Sequence, residues 1–316
     1  MLLAAADLYS LDSFLQYVVI GLTKGSLFAL IALGYTMVYG IVELINFAHG
    51  DLFMLGSFLA LTVLGWAGAA SDAPTDRQMV VGLALCFVLC PVFCAALNVG
   101  VDRVVYRPLR NAPKLAPLVS AIGVSFIFMN AGLFWGGPQD IKFPNLIPDT
   151  VLVGNPDGVR LTYKDLLVVA VTVPLMLALT GFVRLTPLGK AMRATAQNPT
   201  AAQLMGINTE RVIAATFAIG GALAGAAGVV YGLTINTISY QVGFQNGLYA
   251  FTAAVLGGIG NIPGAVLGSL IIGLVTSLGS AYVGDRWTNA LVFAILIVIL
   301  VFRPSGLLGT RTREKV

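Results

Sequence analysis

The densest polar cluster beside an apolar run is Glu43-Leu-Ile-Asn46-Phe-Ala-His49-Gly50-Asp51, and His49 is the sole histidine of the chain. Two acids, an amide and an imidazole are groups that a proton relay uses, and ionisable groups at membrane depth are functional candidates. On an uninterrupted helix Glu43, Asn46, Gly50 and Met54 share one face. The same residues fit a tight cytoplasmic turn, with Asn46 or Asp51 capping a helix and Glu43 paired to a base. They also fit a contact to another subunit, and the three readings stay open.

The remaining polar residues of the apolar runs are scattered: Asn98, Asn130, Asn236, Gln241, Gln245, Asn246 and Asn289. No two acids sit together at mid-span, as an ion-coupled transporter would want. One histidine and no acid pair also argue against a membrane enzyme, and no cofactor is expected. Gly189-Lys190 is followed by Ala191, with Arg184 where a phosphate loop needs its first glycine, so the chain does not hold ATP in that way. Cys86, Cys90 and Cys94 recur every fourth residue on one helix face. Without a histidine or acid nearby they read as small packing residues rather than metal ligands or a disulfide.

Another polar interruption carries its own helix. Thr186–Arg211 reads TPLGKAMRATAQNPTAAQLMGINTER. Thr186 followed by Pro187 is one cap-plus-proline start; Asn198 followed by Pro199 is a second, and Gly206 suits the position just past a helix end. Residues 199–205 are therefore expected to form about two turns. So short a helix does not hold itself together in water, and a soluble cytoplasmic partner is the expected support. A passive channel has no evident use for such an element.

These pieces sit in a chain of 316 residues that is 58% hydrophobic and 10% charged, with a mean hydropathy of +0.90. Soluble domains carry about 25% charged residues, so the expectation is an all-α, polytopic membrane protein forming a single domain over residues 1–316. The spans fall at 14–42, 52–70, 79–102, 115–135, 164–184, 211–235, 247–259, 264–283 and 287–302, about eight or nine helices near the length a bilayer requires. The run 247–259 is short and followed by GGIGNIPG, and is read as broken or re-entrant. The net charge of +4 does not argue for nucleic acid, because it follows from the loops. Arg103, Arg107, Arg110 and Lys114 share one; Arg184, Lys190, Arg193 and Arg211 another; Arg303, Arg311, Arg313 and Lys315 lie after the last span. The positive-inside rule puts these in the cytoplasm, the N-terminus outside and the C-terminus inside. Trp66, Trp135 and Trp287 then mark outer ends.

The N-terminal segment has Asp7 and Asp12 but no basic residue before Lys24, so a cleaved signal is not expected. Lys24 interrupts the first apolar run; the preferred arrangement lays residues 12–24 along the outer interface and starts the span near Gly25. The outer loop 136–163 contains GNPDG between Thr150–Val153 and Val159–Thr162, a hairpin signal. Pro91 and Pro174 fall inside spans and should kink them.

The strings Gly34-YTMVYGIVELINFAHGD-Leu52, GKAMRATAQNPTAAQLMGI (Gly189–Ile207) and FRPSGLLG (Phe302–Gly309) resemble inner-membrane permeases of the branched-chain amino acid ABC importers. The order and spacing of the spans follow that family over nearly the whole chain. The resemblance implies a bacterial inner-membrane complex of two related permeases, or two copies of this one, with two cytoplasmic ATP-binding subunits and a periplasmic substrate-binding protein. Hydrolysis would belong to the ATP-binding subunits. The loop 186–210 corresponds in place to the coupling loop, with Gly189, Asn198, Pro199, Ala201, Ala202, Leu204 and Gly206 as its residues, and Ala201, Ala202 and Gly206 as contact positions. The resemblance gives no individual cargo contacts. The pathway is placed on the broken stretch Tyr240–Asn261, with Tyr240, Gln245, Asn246 and Asn261, and second on Glu43, Asn46 and His49. Branched-chain amino acids are the expected cargo; urea, short amides or other amino acids are the alternative within the superfamily. A stand-alone facilitator is the alternative outside it.

Overall fold

The computed structural model describes residues 10–71, 74–110, 112–113, 115–148, 150–154 and 158–309. Asp7, Lys114, Asn155, Pro156, Asp157, Arg311, Arg313 and Lys315 lie outside them. Among the described residues, eight helices are long and apolar enough to cross a membrane, and helices dominate throughout.

Helix α1, Leu11–Val42, starts where the Ser10 hydroxyl accepts from the Ser13 amide and ends at Glu43 in the left-handed region, φ 54°. Its 32 residues span about 48 Å, well beyond the ~30 Å hydrocarbon core. From Gly25 to Val38 every residue is buried, which makes α1 the centre of the bundle. The sequence expectation for residues 12–24 is corrected here: they continue α1 without a break, and Lys24 is half-buried within it. Gly21 and Gly25 explain why, since they seat α1 backbone-to-backbone on Leu274 and Leu270.

Between Glu43 and Phe47 the chain is non-helical, and α2 (Ala48–Trp66) follows. Helix α3, Asp76–Val101, runs antiparallel to α2, with the Cys94 and Cys86 thiols against the Leu52 and Ala60 carbonyls at 3.3 and 3.5 Å. It continues through a π-helical turn at Asp102–Tyr106 into Arg107–Leu109. Helix α4 (Leu115–Gly136) crosses next. The loop 136–163 contributes β1 (Ile141–Lys142) and the expected hairpin, β2 (Val151–Gly154) with β3 (Arg160–Thr162). Then come α5 (Tyr163–Leu185), α6 (Pro187–Gln197), α7 (Pro199–Leu204) and α8 (Thr209–Ile235). The chain goes on through β4 (Thr237–Ile238), α9 (Val242–Gly257), α10 (Ile262–Tyr282) and α11 (Thr288–Phe302). Strand β4 pairs antiparallel with β1. Helices α3 and α5 continue through Pro91 and Pro174.

Two parts of this list mirror each other. Glu43 and Asn236 are the non-glycine residues with positive φ among those described, at 54° and 57°. Each ends a long helix, α1 or α8, and each leads into a short extended stretch and a further helix, α2 or α9. Helix α1 lies antiparallel on α10 through Gly21 and Gly25, and α8 lies antiparallel on α3 through Gly221 and Gly225. The four helices α1–α4 and the four α8–α11 thus repeat one arrangement in opposite directions, as transport folds built from inverted halves do. Side chains cap six further helix starts: Thr75, Thr162, Thr186, Asn198, Asn208 and Asn261 cap α3, α5, α6, α7, α8 and α10. The starts of α2, α9 and α11 have no side-chain cap, and those of α2 and α9 are the two that face each other inside the bundle.

Candidate functional site

The reason α2 has no cap is that it begins inside the bundle. Tyr106 Oη donates to Asn46 Oδ1 at 2.7 Å, Asn46 Nδ2 to Asn98 Oδ1 at 3.2 Å, and Asn98 Nδ2 to the Phe217 carbonyl at 2.7 Å. Phe217 lies eight residues into α8, about 12 Å from that helix's start. Burial continues from Ala48 through Phe58. The cytoplasmic-turn reading of this stretch is therefore corrected: Asn46 caps nothing, and Glu43 and Asn46 precede the helix rather than sharing its face. Local sequence could not reveal this, because the partners that bury Asn46 come from α3 and α8.

Helix α9 starts against the same point. A Cβ on Gly50 would overlap the Gly243 carbonyl and lie 2.8 Å from Gly247 Cα, so two helix N-termini meet with backbones touching. Such inward starts carry partial positive charge and unpaired amides. Asp51, in the first turn of α2, is buried and accepts from Ser125 Oγ at 2.5 Å through Oδ2, while Oδ1 has no partner. The Tyr35 hydroxyl lies beside Gly247 and the Gly50 amide.

Directly under this crossing is a small pocket lined by Tyr35, Tyr39, Asn46, His49, Phe251 and Ile259 among others. Its volume of about 10 Å³ has room for about one water. His49 is fully buried and neither ring nitrogen has a hydrogen-bond partner; the Ile31 carbonyl lies near without bonding geometry. Each unpaired buried nitrogen costs about 1–3 kcal/mol. Tyr39 and Ile259 also line the next space, a cleft of about 1050 Å³ that includes Glu43, Arg184, Arg193 and Asn261. Glu43 thus faces a wide vestibule together with Asn261, while Asn46 and His49 lie in the pocket above it.

The other expected pathway residues fall elsewhere. Gln245 lines a separate groove of about 400 Å³ with Gln241, Phe244, Tyr249, Asn289 and Met129. The Tyr240 hydroxyl accepts from Gln241 Nε2 at 2.8 Å, and Asn246 donates back into α9 to the Val242 carbonyl at 3.0 Å. Asn261 caps α10 and donates to the Leu308 carbonyl at 2.7 Å. The broken stretch after α9 is real: Gly258 and Gly260 have φ of 106° and 90°. Its backbone is satisfied by the following FRPSGLLG segment, where Leu307 and Leu308 donate to Leu256 and Gly257.

The polar loop folds as its caps require. Thr186 Oγ1 accepts from Gly189 and Asn198 Oδ1 from Ala201, each at 3.0 Å. Met192 of α6 is fully buried among Leu33, Met37, Leu179 and Val212, which roots the loop in the bundle. Gly189 is buried against the Phe182 and Val183 backbone. Helix α7 is then held by the chain itself, through Ile207 N to Ala202 O at 3.0 Å and Gln203 to Thr209 at 2.8 Å, rather than by a partner alone. Ala202 faces inward, 4% exposed; Leu204 and Met205 stand out at 84% and 83%. Ala201, Pro199 and Gly206 are exposed, the last with φ 82°. Immediately beyond, Glu210 bonds Arg107 and Arg110 at 2.8 and 2.7 Å, and Arg110 bonds buried Asp102 at 2.6 Å. That network and Tyr106 carry no sequence signal, since the π turn that aims them is not a local motif.

Membrane-crossing helices in two opposed halves, two inward helix starts, a closed pocket and a wide vestibule define a multi-pass membrane transport protein. The chain belongs to the family described as branched-chain amino acid transport system / permease component, which it matches over residues 17–300. It is 42% identical over 308 residues to the high-affinity branched-chain amino acid transport system permease protein BraD of Pseudomonas aeruginosa, covering 96% of this chain and 98% of that one. Identity to the LivH permease of the same description from Escherichia coli K12 is 43% over 305 residues, with the same coverages. A weaker likeness, 27% over 204 residues, 60% of this chain and 56% of the other, joins it to the autoinducer 2 import system permease protein LsrC of E. coli. No solved structure matches the chain significantly. It is a multi-pass protein of the bacterial inner membrane.

Proposed function

We propose that this chain is a single-domain permease subunit of an ATP-driven importer that carries branched-chain amino acids from periplasm to cytoplasm. Full-length similarity to BraD and LivH supports the cargo. The observation that carries the machine is α7: a capped helix outside the spans, rooted through α6, whose tip offers Leu204 and Met205 to solvent. Two large exposed apolar side chains on a rigid two-turn helix suit insertion into a cleft on a soluble subunit. The N-terminus lies outside and the C-terminus in the cytoplasm. Two separate subunits bind and hydrolyse ATP, a second permease completes the pathway, and a periplasmic binding protein delivers cargo to the side of the β2–β3 hairpin. The contact falls on Leu204, Met205 and Ala201, with Ala202 and Gly189 shaping the loop from within. Cargo passes by the Asn46–His49 pocket and leaves through the vestibule at Glu43 and Asn261.

The test is copurification from native membranes, followed by uptake into proteoliposomes. The native chain should bring an ATP-hydrolysing subunit and support ATP-dependent leucine uptake. The double substitution L204D/M205D should lose that subunit yet keep its membrane insertion. A chain that purifies alone and passes leucine without ATP would sink the reading.

A further inference from the structure

We propose that His49 is the group through which this permease holds the α-carboxylate of its cargo, and that the pocket around it is the cargo site in collapsed form. The inference rests on the amino-acid cargo assigned above. Four observations converge on the ring. It is fully buried and lines the pocket, and both nitrogens lack hydrogen-bond partners. It sits in the first turn of α2, where helix amides face inward without a side-chain cap and favour a negative group. Gly34 leaves the space it occupies, because a Cβ there would overlap the imidazole. Finally, the Tyr35 ring holds it edge-on at a centroid distance of 4.8 Å.

The rest of the lining has the other half of the expected chemistry. Val38, Leu44, Ile45, Phe251, Ala254 and Ile259 form an apolar wall, which suits a branched aliphatic side chain. Asn46 is already committed to Tyr106 and Asn98 and the Tyr35 hydroxyl lies at the Gly50 amide, which leaves His49 and the Tyr39 hydroxyl as donors, His49 being the one at the start of α2. In this conformation the pocket takes about one water; separation of Phe251 and Ile259 from Tyr39 would open it to the vestibule that shares two of its residues. Binding and release then follow from whether the ring's nitrogen is given a carboxylate or is sealed away from one.

Because the chain has a single histidine, the ring can be watched directly. The chain labelled with [15N]histidine is assembled with unlabelled partner subunits, trapped during turnover with [1-13C]leucine, and read by solid-state NMR. A dipolar coupling between the carboxyl carbon and an imidazole nitrogen is the expected result. Transport should agree: His49→Gln, which keeps a donor, retains leucine uptake, whereas His49→Leu loses it by about tenfold or more, the factor a single lost interaction of ordinary strength gives. A wild-type complex that accumulates leucine but shows no coupling overturns the proposal and leaves a structural water site. Equal uptake by His49→Leu and wild type overturns it as well. A wild-type complex that accumulates no leucine overturns both this proposal and the cargo reading beneath it.

Discussion

The turn that joins α1 to α2 and the turn that joins α8 to α9 use the same backbone and opposite chemistry. Both leave a long helix through a left-handed residue, Glu43 or Asn236, run back into the bundle and start a helix without a side-chain cap. The first then places Asn46, His49 and Asp51 in the interior, fully buried. The second places amides, Gln241 and Gln245, at a separate groove. Asn236 itself is tied down, accepting from Lys164 and donating to Pro144 at 3.4 Å, whereas Glu43 faces the vestibule. The repeated backbone supplies geometry, two helix starts brought head to head. The side chains differ: the first turn carries a buried polar cluster, and the second is anchored to Lys164 and Pro144.

The comparison can be broken most severely at the crossing itself. Gly50→Leu and Gly247→Leu each force a side chain into a backbone contact, costing about 3 kcal/mol or more; neither should give a monodisperse complex in mild detergent. Gly65→Leu, where nothing lies within 4 Å, should purify normally, and equal behaviour of all three would show that the two starts do not meet. Next in size is the difference between the interior and the groove. Asn46→Leu strands the Tyr106 hydroxyl and the Asn98 amide, at about 1–3 kcal/mol, and should lower the melting temperature of the purified complex. Gln245→Leu, on an exposed face, should stay within about 0.5 kcal/mol.

The smallest effect separates the two turns. Glu43→Gly relieves a left-handed residue with no bond from its side chain among those described, and should stabilise by up to about 1 kcal/mol. Asn236→Gly gives up its Lys164 and Pro144 bonds for the same relief and should show no gain. Thermal melting of the two variants side by side decides it.

The legibility of this molecule divides along the same line. Helix starts that face water must replace water's hydrogen bonds, so Thr162, Asn198, Asn208 and Asn261 announce them in sequence. In the loop 186–210 the two starts at Thr186 and Asn198 are readable for that reason, and the expected helix 199–205 is found as Pro199–Leu204. Starts buried in the bundle need no such residue, and the inward run of Glu43–Phe47 resembles a surface turn in composition. The polar cluster there is conspicuous, but its setting depends on Asn98, Tyr106 and Phe217, up to 171 residues away in the chain, as Ser57 to Gly228 also illustrates. Lys24 misled for a related reason: a charge in an apolar run signals an interface only if the helix does not outrun the bilayer. The burial of Ala202 is a tertiary outcome that the loop's own pattern does not contain.

The segment after α11 has one further consequence, for the order in which the protein is made. Leu307 and Leu308 complete the backbone bonding of Leu256 and Gly257, and Gly306 and Gly309 close over Gly258. Residues 306–309 leave the ribosome only after α10 and the whole of α11. The turn between α9 and α10 therefore enters the membrane with open carbonyls and waits for a strap synthesised some fifty residues later. Until that strap arrives, the Leu256 and Gly257 carbonyls lack these partners and the edge of the vestibule at Ser305 and Gly309 is missing.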